Sequence, residues 1–166
     1  MDFSPPFRTD QFERLEAGEL FFIEYDNFHA VAIKVKDAGI EGQNLMALLG
    51  PDVPAKYGTG RLIKGQRTAV VRIGLDYKIM LPTTPKGWTQ QAPGANVLAL
   101  ALRNDTVSIR INLDNRPGKF NPGYLRLPGG TIDFQNANNA ALFASQWEIA
   151  LPAGKEDARS VLRVGF

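Results

Sequence analysis

The stretch VLALALRNDTVSIRINL, residues 97–113, decides the fold. Apolar and small residues alternate as far as Arg103, Asn104-Asp105 interrupts them, and the alternation resumes at Thr106. Side chains of a strand point to opposite faces in turn, and Asn-Asp tolerates the positive φ of a tight turn, so the stretch predicts a hairpin of strands 97–103 and 106–113. A two-residue turn sets the register. Leu102 meets Val107, Leu100 meets Ile109 and Leu98 meets Ile111 on one face. Arg103 meets Thr106, Ala101 meets Ser108 and Ala99 meets Arg110 on the other.

Toward the N-terminus the same logic recurs, with residues 19–25 and 28–36 flanking Asp26-Asn27. The turn then pairs Tyr25 with Phe28, Glu24 with His29, Phe22 with Val31 and Leu20 with Ile33. One face carries Leu20, Phe22, Val31 and Ile33. The other carries Phe21, Ile23, Ala30 and Ala32 and is closed by a Glu19 to Lys34 cross-strand pair. Both faces are apolar, which predicts a hairpin in the middle of its sheet, covered on each side.

Further strands are expected at 43–49, 68–73, 77–81, 123–127, 131–134, 145–151 and 160–164, separated by Gly-Pro and Pro-Gly turns. Residues 9–18 read as a short helix capped by Thr9 and stopped by Gly18, with Phe12, Leu15 and Glu16 on one face. Residues 139–148 read two ways: the alanines favour helix, whereas Trp147, Ile149 and Leu151 alternate as in a strand, so a strand is expected for the second half. A helix there would make the fold α+β. The expectation is an all-β fold, a sandwich or partly closed barrel of about ten short antiparallel strands with one short N-terminal helix, forming a single β-rich domain over 1–166.

Composition narrows the function classes. Hydrophobic residues make up 44% and charged residues 22% of the chain, the usage of a folded core rather than of a disordered or fibrous chain. No run approaches the roughly eighteen apolar residues of a membrane helix, and the first residues lack the order of a secretory signal, so a cytoplasmic protein without membrane contact is expected. Cysteine is absent, which removes disulfides, thiolate nucleophiles and thiolate metal sites. A single histidine, His29, excludes every site that needs two, the common zinc sites among them. No cofactor is implied.

Charge is unevenly spread. Residues 1–52 carry four Lys or Arg against ten Asp or Glu, −6; residues 53–132 carry twelve against three, +9; the rest carries three against four, −1. The acidic third is expected to pack beside the basic middle, with attraction of an anionic partner as the alternative.

Three constellations are candidates for chemistry. Glu24 and His29, opposite each other in the predicted register, place a carboxylate where it could orient an imidazole for acid or base work; a polar pair beside a turn is the plainer reading. Residues 53–75 hold Lys56, Arg61, Lys64, Arg67 and Arg72 with no acid, and Tyr57 is available for stacking. Such a run suits an acidic ligand or, less well because aromatic residues are few, a nucleic-acid backbone; a solvated loop and edge strand is the alternative. Its glycines do not make a phosphate loop, because Gln66 and Arg67 stand where Lys and Ser or Thr are required. Trp88, in the Pro- and Thr-rich loop 82–94, is the best aromatic contact surface, whereas the alternation places Trp147 in the core. No serine lies in a nucleophile elbow.

The sequence therefore predicts a binding or structural-interaction module with no identifiable catalytic motif. The alternatives are a small-molecule enzyme using Glu24 and His29, and a weak nucleic-acid binder through 53–75. The ligand-binding candidates are Tyr57, Arg61, Lys64, Arg67 and Trp88. The expected partner is another protein or a small anionic ligand, and a homo-oligomer joined through Phe3, Phe7 and Phe166 near the termini is also expected.

Overall fold

The computed structural model describes residues 8–36, 45–50, 61–64, 69–94, 97–113, 119–133, 142–151 and 159–165. The strands are β1 (Arg8–Gln11), β2 (Leu20–Tyr25), β3 (Phe28–Val35), β4 (Leu45–Leu49), β5 (Arg61–Lys64), β6 (Ala69–Gly74), β7 (Lys78–Met80), β8 (Leu100–Arg103), β9 (Thr106–Asn112), β10 (Pro122–Arg126), β11 (Thr131–Asp133), β12 (Leu142–Ala144), β13 (Trp147–Leu151) and β14 (Arg159–Val164). The fold is nearly all-β and sandwich-like, and the described strands close no barrel.

Both predicted hairpins form in the predicted register. Asp26, Asn27, Asn104 and Asp105 all have positive φ, between 44° and 66°, and the pairs Glu24–His29, Leu20–Ile33, Ala101–Ser108 and Leu100–Ile109 are those the turns require. In the second hairpin the regular strand begins at Leu100, with one further bond from the Arg110 amide to Ala99 O.

The β2–β3 hairpin is central. One antiparallel arm runs β1-β6-β2-β3-β4-β5. A second arm is built on β9, which has β10 and then β11 on one side and β8, followed by β12, on the other. The arms meet where Arg61 pairs in parallel with Asn112. Because β10 already holds the other side of Asn112 through Pro122, β5 and β8 follow each other along one edge of β9. A third sheet, β14-β13-β7, lies apart from this path.

One core joins all three. Leu20, Val31 and Ile33 of the first arm, Leu100, Ile109 and Ile111 of the second and Trp147 and Ile149 of the third pack together. The opposite face of β2–β4 forms its own core of Phe21, Ile23, Ala30, Ala32, Met46 and Leu48, with Phe12 and Leu15 packed on it. This confirms a hairpin covered on both sides.

The expected N-terminal helix is reduced to a single 3-10 turn, Phe12–Arg14. Thr9 and Asp10 instead extend as β1 and pair with Val71 and Val70 of β6. Phe12 and Leu15 are still the buried pair, since residues three apart share a side of a 3-10 turn as they do of an α-helix. Gly18, at φ +88°, ends the segment; a β-carbon there would stand 2.7 Å from the Gly129 amide nitrogen. In the ambiguous segment, residues 142–144 form β12, which removes the α+β alternative. The strands β1, β5 and β12 were not anticipated.

The acidic first third and the basic middle meet at Glu19. Its buried carboxylate accepts from Arg72 at 2.6 and 2.7 Å and from the Glu16 amide at 2.7 Å. Lys34 pairs with Glu19 along the backbone, while its ammonium donates to Phe12 O at 3.1 Å and lies 4.0 Å from the Phe12 ring centre. Arg72 thus joins Lys34, the expected cross-strand neighbour, as a partner of Glu19.

Candidate functional site

The turn end of the β2–β3 hairpin reaches beyond the main core. Alternation puts Phe22, Glu24, His29 and Val31 on the core-facing side, and β4 pairs with β3 only from Val31 onward. Across from this end runs β14, which is bonded on one edge to β13. Between them lies a cleft of about 270 Å³ with Phe22, Val31, Leu49 and Leu162 in its lining and His29 and Arg163 as its charged or titratable members. Gly50, at φ +115°, lets the end of β4 come close to β14: a β-carbon there would stand 3.1 Å from Leu162 Cδ1.

His29 and Arg163 are exposed and come from different sheets. The Arg163 Nε donates to Glu148 Oε2 at 3.2 Å, which holds the guanidinium along β13 and offsets part of its charge. Glu24 is exposed and opposite His29, as the register predicts, and no hydrogen bond joins the two side chains. The imidazole therefore has a carboxylate neighbour without a fixed orientation. The arrangement can seat an apolar group on its floor and an anionic group at the rim.

A second cleft, of about 370 Å³, lies between residues 80–87 and 146–148 and includes Met80, Leu81, Thr84, Lys86 and Glu148. Met80 and Leu81 are exposed there, at 51% and 37%. Trp88 closes the base of this loop from within: it is partly buried against the main core, with its Nε1 donating to Pro82 O at 3.2 Å. Trp147 is fully in the core and donates to Leu98 O at 3.3 Å.

The basic stretch is only partly described. Arg61 and Lys64 stand at the two ends of β5, opposite Leu48 and Leu45, so this strand lies between β4 and β9. Tyr57 and Arg67 lie outside the described residues, as do Phe3, Phe7 and Phe166. Among the described residues no group of three or more His, Cys, Asp or Glu could hold a metal ion, and no helix is long and apolar enough to cross a membrane.

Sequence reasoning placed Glu24 beside His29 but not the wall that faces His29. Val161, Leu162 and Arg163 come from the far end of the chain, and only the packing of β14 reveals them. The chain matches no known family model, no curated protein and no solved structure.

Proposed function

We propose that the protein is a binding module whose ligand is a small anion with an apolar body, seated in the cleft between the β2–β3 hairpin and β14. The observation that carries this reading is the joint placement of His29 and Arg163 at one apolar-floored cleft. An apolar floor gains from burying hydrocarbon, about 25 cal/mol per Å². A guanidinium at the rim gives a carboxylate its charge-assisted bond. Octanoate is a suitable probe. Its addition should shift the backbone resonances of His29, Val31, Gly50 and Leu162, and Arg163→Gln should weaken the effect about tenfold, the loss of one charge-assisted hydrogen bond. Shifts confined to other parts of the molecule would reject the cleft as the binding site.

A catalytic reading rests on the same imidazole, exposed on a cleft wall with Glu24 opposite. It requires turnover of an ester of the bound acid that His29→Asn abolishes while binding persists. Octanoate binding with no such turnover supports the binding module.

A further inference from the structure

Strand β9 reads TVSIRIN. Val107, Ile109 and Ile111 point to the core, which puts Thr106, Ser108, Arg110 and Asn112 on the outer face of the second arm. Ser108, Arg110 and Asn112 are nonetheless buried, at 7%, 8% and 6% exposure. Buried polar groups need partners, and two of the three have them. Arg110 donates to Pro93 O at 2.6 Å and Gly94 O at 3.1 Å, and its guanidinium lies 4.5 Å from the Phe120 ring centre. Asn112 donates to Lys119 O at 2.9 Å and accepts from the Asn121 amide at 3.0 Å. Ser108 is more than nine-tenths buried as a residue, and its hydroxyl has no such side-chain bond among the described residues.

Ser108 lines a hollow of about 90 Å³, with Arg103, Thr106, Tyr124, Arg126 and Asp133 around it. The registers explain the convergence. Arg126 stands opposite Ser108, Arg103 opposite Thr106, and Tyr124 between Arg110 and Asp133. Tyr124 stands opposite Arg110 in the register and lines the same hollow, with a phenolic O–H that can donate. Arg126 Nη2 meets Asp133 Oδ2 at 2.8 Å. Two guanidinium groups and three hydroxyls thus surround one small space that contains one carboxylate.

We propose that this hollow binds a tetrahedral oxyanion of the phosphate class. Ser108 and Tyr124 donate hydroxyl protons from its floor, and Arg103 and Arg126 present guanidinium forks from its rim. Three waters occupy about 90 Å³ in the liquid, so the space suits one phosphate group and not the rest of a larger ligand. Asp133 steers Arg126 across the opening and competes with the anion for it. The site lies on the second arm, away from the cleft at His29, and does not depend on the ligand proposed there.

The test is a titration of the whole protein with inorganic phosphate at constant ionic strength, with chloride as the reference, followed by amide resonances. A saturable shift at Ser108, Tyr124 and Arg126 is expected. Ser108→Ala should weaken it several-fold and Arg126→Gln about tenfold. Asp133→Asn, which removes the competitor, should tighten it. Glycerol phosphate in the same titration separates the sources: tighter binding than inorganic phosphate identifies the end group of an organic ester, and weaker binding identifies the free ion. A shift that stays linear through the millimolar range, an affinity unchanged in Arg126→Gln, or weaker binding in Asp133→Asn with a native spectrum overturns the proposal.

Discussion

Tyr77 follows β6 and is partly buried, with its hydroxyl donating to Gly18 O at 3.0 Å. Burial pushes its pKa from 10.0 up to about 12. The folded protein therefore keeps a proton that the unfolded chain releases above pH 10. This contribution is fully present below pH 10 and is lost as pH rises toward 12, on the order of 2 kcal/mol in all. Tyr77→Phe should flatten the fall in stability over that interval, which urea unfolding at several pH values would measure; an unchanged slope would assign the fall to other groups. At this scale the sequence was partly legible. The turn dipeptide at Asp26-Asn27 was enough to set Glu24 against His29, because a hairpin register is local. Nothing local to Ser108 announces the polar ring around it: its neighbours Tyr124, Arg126 and Asp133 belong to β10 and β11, whose pairing no turn next to Ser108 specifies.

Loop 82–94 is held to the second arm by Arg110, through the carbonyls of Pro93 and Gly94. The buried guanidinium has its pKa lowered by desolvation, which Tyr124 opposes. Its Nε is buried without a partner, so the latch is not fully satisfied. Arg110→Met should release both carbonyls, cost about 2 kcal/mol and speed hydrogen exchange across residues 88–94. Exchange unchanged in this loop would mean that Trp88, through its bond to Pro82, suffices as the anchor. The strands that escaped sequence reading share one cause. β1, β5 and β12 are three or four residues long; β1 and β12 pair with β6 and β8, which are remote in sequence, while β5 pairs along its length with the preceding strand β4 and meets the remote β9 only at Arg61. RTDQ and RLIK carry too few apolar positions to declare a buried face, and Phe12 with Leu15 suits a 3-10 turn as well as the α-helix expected there. The longer strands next to two-residue turns were legible because period and turn agree in them.

The main core takes side chains from both arms and from the third sheet, so the arms and the third sheet are expected to unfold together. Ile149, fully buried in β13, touches this shared interior. Ile149→Ala should lower stability by about 3 kcal/mol while tryptophan fluorescence and far-ultraviolet circular dichroism still report one midpoint. Two separated midpoints would show that the arms are independent. The seam between the arms also orders events in time. The hairpins at Asp26-Asn27 and Asn104-Asp105 close over two residues and can form within microseconds, whereas joining Arg61 to Asn112 brings together segments about fifty residues apart. That junction uses an edge of β9 which β8 has already begun to occupy. The local hairpin thus leaves a templated half-edge for a later arrival, and the slow phase of folding should be the closing of the long-range pairings, this junction and those of β6 with β1 and β2.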